Sequence, residues 1–198
     1  MKKIKFVISL FFIVLLLFSC KNGLPDNGED LISYVNDPDN GYRQAKTVNG
    51  IQVDLTYRPA ELMVSQEQTL LKNNSQEVKD SLKNKYKDYY YFLLTYTKDG
   101  NEILSTVPRT REEFNTIQNN LSFNMHKLVC LTNRKDTLQF LDFNSPRTYG
   151  MSKSTNVLLV FKKDHSKSKG NTFKVNVQDI GVGTGDLSFT YPSNLLLD

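Results

Sequence analysis

The stretch "NGIQVDLTYRP", Asn49 to Pro59, restricts the fold more than any other part of the chain. Asn49 and Gly50 suit a tight type I′ turn, in which both central residues take positive φ. Beyond it, Ile51, Val53, Leu55 and Tyr57 alternate with Gln52, Asp54, Thr56 and Arg58. That period of two predicts a strand with one buried face and one wet face. Pro59 ends it, having no N–H to give to a ladder. With "YRQAKTV" before the turn, the segment is a β-hairpin, and a hairpin alone cannot bury a core. The chain must supply more strands.

It does so mostly in its second half. "YYYFLLTYT", Tyr89 to Thr97, is apolar on both parities, as a central strand covered on both sides should be, and "KDGN" turns it around. "NMHKLVCLT" and "DTLQFLDF" read as a hairpin around "NRK", followed by the strands "NVLLVFK", "TFKVNVQ" and "DLSFTYP". In the last two, Phe173, Val175 and Val177 alternate with Lys174, Asn176 and Gln178, and Leu187, Phe189 and Tyr191 with Ser188 and Thr190. Two helices are announced by caps. Asn74 with Glu77 precedes Val78, Leu82, Tyr86 and Tyr89 on one face, and Thr110 with Glu113 opens a helix carrying Phe114, Ile117 and Leu121. "AELMVSQEQTLLK" fits neither period, and Leu31, Ile32, Tyr34 and Val35 read as a first short strand or turn before the turn "NDPDNG". No internal repeat and no linker after residue 30 divides the chain. The expected fold over residues 31–198 is mainly β (β-rich α+β): a single antiparallel, sandwich-like domain of about eight strands with two short helices.

The first thirty residues follow different rules. Lys2, Lys3 and Lys5 precede Phe6 to Phe18, 13 residues without a charge, which is the length of a signal-peptide h-region rather than of a spanning helix. Leu17-Phe18-Ser19-Cys20 then resembles a bacterial lipobox. The resemblance implies that residues 1–19 are a removed signal and that Cys20 carries a diacylglycerol on sulfur and an acyl group on nitrogen. Each buried CH₂ of such chains contributes about 0.8 kcal/mol, so several chains hold a protein on a membrane. Residues 20–30 would then be the lipidated cysteine and a flexible tether, "KNGLPDNGED", with a reach of about 35 Å if extended. Cys130 is left without a disulfide partner. Without the three leader lysines, the 25 basic residues fall nearly level with the 21 acidic ones, a net charge of about +1 that offers nothing to nucleic acid.

The Lys-rich leader and the Asn- and Lys-rich mature chain resemble envelope lipoproteins of the Bacteroidota. This implies an outer-membrane address, on either the periplasmic or the surface side. Asp80-Ser81-Leu82 and Asp136-Thr137-Leu138 resemble the O-glycosylation signal of that phylum, which makes Ser81 and Thr137 candidate acceptors, Thr137 the better placed.

No motif announces a reaction. "GVGTGD", Gly181 to Asp186, has the look of a phosphate loop, but a strand rather than a helix follows it, so it reads as a turn or glycine bulge. Lys162, Lys163, His165, Lys167 and Lys169 crowd one loop that could hold an anionic partner, although its ordinary reading is a solvated hairpin tip. Ser166 and Lys169 match S-x-x-K without the helix that chemistry needs. His126 and His165 have no companions for a metal site, and Cys130, in phase with Leu128, reads as a buried small hydrophobe. No catalytic residue, metal or cofactor is indicated. These observations lead to the expectation of a membrane-anchored envelope lipoprotein that binds or scaffolds another envelope protein or a glycan. Dispersed carboxylates leave an envelope hydrolase as an alternative, and a subunit of a secretion or transport assembly as another.

Overall fold

The computed structural model describes residues 24–25, 28–133, 136–164 and 172–196. Nine strands form two antiparallel sheets. The five-stranded sheet runs in the order β1 (Arg43–Val48), β2 (Ile51–Arg58), β3 (Tyr89–Lys98), β7 (Thr155–Lys162) and β6 (Phe140–Asn144). The four-stranded sheet runs β5 (Asp136–Thr137), β4 (Val129–Asn133), β8 (Thr172–Val177) and β9 (Leu187–Pro192). This is the mainly β, sandwich-like α+β fold that the alternation predicts, with more helix than expected.

The sequence patterns explain most of the packing. Asn49 and Gly50 take φ of 51° and 75°, both central residues of the expected turn. Ile51, Val53, Leu55 and Tyr57 are buried, and so are Tyr90, Phe92, Leu94 and Tyr96 beside them in β3. From the facing sheet, Phe173, Val175, Val177, Leu187, Phe189 and Tyr191 complete the core. Phe92 lies near its middle, with ring centroids of Tyr57 at 5.4 Å and Tyr191 at 5.5 Å. The Tyr191 hydroxyl donates to the Leu55 carbonyl at 2.7 Å, joining the sheets through the core, and burial pushes this phenol well above its ordinary pKa.

Asp54 and Thr56, assigned to the wet face, are buried as well. Asp54 tolerates this because it is saturated. Arg43 donates to its Oδ1 from Nε at 3.0 Å and Nη2 at 2.8 Å, and Gln52 to its Oδ2 at 2.8 Å.

The expected hairpin partner "DTLQFLDF" divides between the sheets. β5 pairs with β4, whereas β6 pairs with β7. The crossing is held by Leu138 N–H donating to the Leu131 carbonyl at 2.8 Å and Lys162 N–H to the Gln139 carbonyl at 2.9 Å. At the other margin, the Gln44 side chain acts toward β9 as a strand would: Nε2 donates to the Thr190 carbonyl at 2.6 Å and Oε1 accepts the Thr190 N–H at 3.3 Å. The strand expected from Asn124 starts only at Val129. Its parity is also the reverse of the expected one, because Val129 and Leu131 are the buried residues. Cys130 is therefore half-buried on the outer side, 3.7 Å from Asn176 Nδ2, not a core residue.

Helices close one end of the core and cover part of one sheet. The short strand or turn expected at Leu31–Val35 is instead a helix, α1 (Gly28–Asn36), burying Leu31 and Val35 one turn apart. It begins inside the expected tether, and Leu24 also packs half-buried on the core. "NDPDNG" is a turn: Asp37 caps a single 3-10 turn, Pro38–Asn40, and Gly41 closes it at φ 78°.

The ambiguous "AELMVSQEQTLL" forms α2 (Ala60–Leu71). Its Leu62 faces the main core, while Val64 joins a second cluster with Leu82, Tyr86 and Tyr91 on the outer side of the five-stranded sheet. α3 (Gln76–Tyr86) completes the hairpin. Its cap is Ser75, whose Oγ accepts the Val78 N–H at 3.4 Å, one residue later than the Asn74 the pattern indicates. Glu67 of α2 pairs with Lys85 at 2.8 Å and also accepts from the Tyr86 hydroxyl, which ties the two helices together. Among the described residues no helix is long and apolar enough to cross a membrane.

Candidate functional site

The far end of β3 leads into a different kind of structure. After a turn in which Asp99 and Gly100 take φ of 51° and 73°, Glu102 stands at the N-cap position of the single helical turn α4 (Ile103–Thr106) without capping it through its side chain, and α5 (Arg111–Asn119) follows. Thr110 caps α5 as expected, its Oγ1 accepting the Glu113 N–H at 3.1 Å. The Glu113 carboxylate reaches back one residue further than a standard capping box and accepts the Arg109 N–H at 2.6 Å. The helix runs on through a π-turn, Asn120–Asn124, and a last turn, α6 (Met125–Leu128), before β4 begins. This accounts for the delayed start of that strand. Ile117 and Leu121 are buried, but Phe114 on the same face is 37% exposed.

Phe114 is exposed because it lines a cleft. About 370 Å³ lies between α4, α5 and the segment 145–150 that follows β6, a size typical of small-molecule sites. Leu104, Phe114, Leu121, Pro146 and Tyr149 supply apolar wall, and Ser105, Gln118 and Arg147 supply polar groups. The Tyr149 and Met151 side chains are among the most exposed large apolar groups of the described residues.

Glu102 holds the second wall in place. Its carboxylate is buried, and it accepts the Gly150 N–H on Oε1 and the Thr148 hydroxyl on Oε2. Gly150 can present its N–H this way because Tyr149 and Gly150 both take the left-handed conformation, φ 51° and 83°, turning the chain back on itself. The Glu102 backbone carbonyl also accepts from the Ser105 and Thr106 hydroxyls at 2.7 and 3.1 Å. Opposite, the Ile103 N–H donates to Thr155 Oγ1 at 3.1 Å, fixing α4 to the start of β7. The one carboxylate lining the cleft is thus committed to its architecture, while Arg147 enters no ion pair among the described residues. Such a site can enclose an apolar body and meet a negative group at its rim.

None of the described candidate site residues of the sequence lines this cleft. Lys162 is exposed at the end of β7, and Lys163 sets its ammonium 5.2 Å from the ring centre of Tyr90, a phenol whose pKa burial raises to about 12. His165, Ser166, Lys167 and Lys169 lie outside the described residues, as does Cys20. Ser81 on α3 and Thr137 on β5 are both exposed. His126 is exposed on α6, and no group of three or more His, Cys, Asp or Glu residues that could hold a metal exists among the described residues.

The glycine run is an anion nest filled from within. Asp179 Oδ1 accepts from the amides of Gly181, Val182 and Gly183 at 2.9, 2.8 and 3.2 Å, and Oδ2 from that of Gly185 at 3.1 Å. Gly181, Gly183 and Gly185 all have positive φ.

No known family model matches the sequence. No curated protein matches it either. Among solved structures, it is similar to the crystal structure of a DUF4426 family protein from Pseudomonas aeruginosa PAO1. The two are 9% identical, the match covers 77% of this chain and 97% of that one, and the TM-score is 0.38.

Proposed function

We propose that the protein is a lipid-anchored component of the bacterial cell envelope whose domain binds another envelope component through the cleft between α5 and the 145–150 segment. The observation that carries the binding half is the cleft itself: apolar walls around about 370 Å³, one carboxylate tied up in holding the loop, and an arginine available at the rim. A site of this make-up suits recognition better than acid–base chemistry, which requires a titratable pair within reach of a substrate. The anchoring half is supported by the leader and by Leu17-Phe18-Ser19-Cys20, and an outer-membrane address by the resemblance to Bacteroidota lipoproteins.

The two halves are tested separately. Radiolabelled palmitate should mark the wild-type chain and fail to mark Cys20→Ser, which should leave the membrane fraction; equal labelling of both would end the anchor reading. For binding, a photo-crosslinking amino acid at Phe114 should capture a reproducible partner or ligand in the protein's own cells. The same probe at Thr132, on the outer face of the other sheet, should not. Identical capture patterns at both positions would remove the cleft from the proposal.

A further inference from the structure

We infer that the α2–α3 hairpin is the membrane-facing surface of the domain, with Leu70 and Leu71 entering the interfacial layer of an anionic leaflet and Lys79, Lys83 and Lys87 lying against its headgroups. This rests on the anchoring proposed above, and it follows from where the chain leaves the domain. Leu24 already packs on the core, so only residues 20–23 separate the lipid-bearing cysteine from the protein surface, a reach of about 14 Å even when fully extended. The domain therefore cannot stand clear of the headgroups on the long tether that composition alone suggests.

α1 enters beside the hairpin. Its first residue, Gly28, lies directly on α2: a Cβ there would come within 2.2 Å of Ser65 Oγ. Leu70 and Leu71 follow Ser65 by five and six positions on the same helix, about 8 Å along its axis. They are 82% and 55% exposed, a pair of large apolar side chains that none of the other described residues covers. The second arm of the hairpin brings charge of the matching sign. Lys79 and Lys83 on α3 and Lys87 just past its end recur every four residues, all exposed and outnumbering the exposed Glu77 and Asp80 of the same helix, while Lys85 turns the other way to pair with Glu67. Apolar side chains and a row of lysines on one hairpin, in a domain that a short link holds at the lipid, are what an anionic interface takes up.

The chain contains no tryptophan, so a single one reports its own surroundings. The full-length lipidated protein carrying Leu70→Trp would be reconstituted into phosphatidylglycerol–phosphatidylcholine vesicles whose acyl chains are brominated, with Met151→Trp at the cleft as the reference. Leu70→Trp should lose about half its emission to the bromines, and Met151→Trp should keep its emission, as a residue held above the interface would. Replacing Lys79, Lys83 and Lys87 by Gln should weaken the quenching in these vesicles. Palmitate labelling of the same preparation separates the two ideas. Labelled protein with an unquenched Leu70→Trp overturns the docking surface and leaves the anchor standing. Protein that takes no label overturns both.

Discussion

The outer face of the five-stranded sheet changes character halfway along β3. At the start of that strand Tyr91 lies under the α2–α3 hairpin, packed with Val64, Leu82 and Tyr86 and with Leu158 and Val160 of β7. A few residues on, the same face carries Thr95, whose hydroxyl donates to Asn156 Oδ1 at 2.8 Å, and Asp54 under Arg43. The first half is sealed by apolar packing; the second is polar and leads to the cleft. β3 is ten residues long, about 30 Å, so one rigid strand joins the roots of the hairpin to the Glu102 turn. The difference separates two jobs. The sealed half provides stability and the proposed membrane side, and the other end is left with a cleft whose wall is a loop held by hydrogen bonds.

The sharpest way to break this comparison is to truncate the sealed half. Tyr91→Ala should destabilise the domain by about 3 kcal/mol in urea unfolding, the cost of removing a buried aromatic, while Thr95→Ala in the polar half should cost under about 1 kcal/mol. Equal losses would mean that the two halves are not energetically distinct. Glu102→Ala comes next, at about 2 kcal/mol, because it strands the Gly150 amide and the Thr148 hydroxyl. Hydrogen exchange at Gly150 should accelerate while amides of α3 stay protected.

Phe114→Ala should sharpen the contrast in the opposite sense. It should shift stability by no more than about 0.5 kcal/mol and yet abolish partner capture from a crosslinker moved to Tyr149. A small effect, confined to the two ends of the pH range, is expected at Glu67. Its carboxyl is held below the usual range, chiefly by the hydrogen bond from Lys85 and then by that from Tyr86, while the Lys85 ammonium is held above its own range chiefly by Glu67. The carboxylate's contribution is therefore complete above about pH 4.3 and is lost as pH falls through the lowered folded value; the ammonium's is complete below about pH 10.4 and is lost as pH rises through the raised one. Glu67→Gln should flatten both margins of a stability–pH curve by under about 1 kcal/mol, since the pair is solvent-screened.

Legibility in the sequence follows the same divide between one-sided and two-sided environments. β8 and β9 alternate cleanly because each has a core on one side and water on the other, and "YYYFLLTYT" records both regimes of β3, apolar on both parities at first and then with threonines on one of them. α2 escaped the periodicity because it sits between two apolar clusters, so Leu62 and Val64 point to different partners and no single stripe forms. Asp54 looked wet because nothing local shows that Arg43, eleven residues back, will cover it. The cleft had no local signal at all. Glu102 and Gly150 are 48 residues apart and meet only through the fold. The glycine run did carry a signal, in the aspartate two residues before it: Asp179 supplies the anion that "GVGTGD" is shaped to hold.

The Gln44 side chain has a consequence for the protein at high local concentration. The edge of β9 offers an N–H and a C=O at Thr190 that a strand from a neighbouring molecule could copy, and such edges are where sheet proteins join end to end. One amide group already occupies both positions, donating and accepting as a peptide unit would. Glutamate could accept there but not donate, and leucine could do neither. At this point of the edge, one side chain thus fills the place that a neighbouring strand would need.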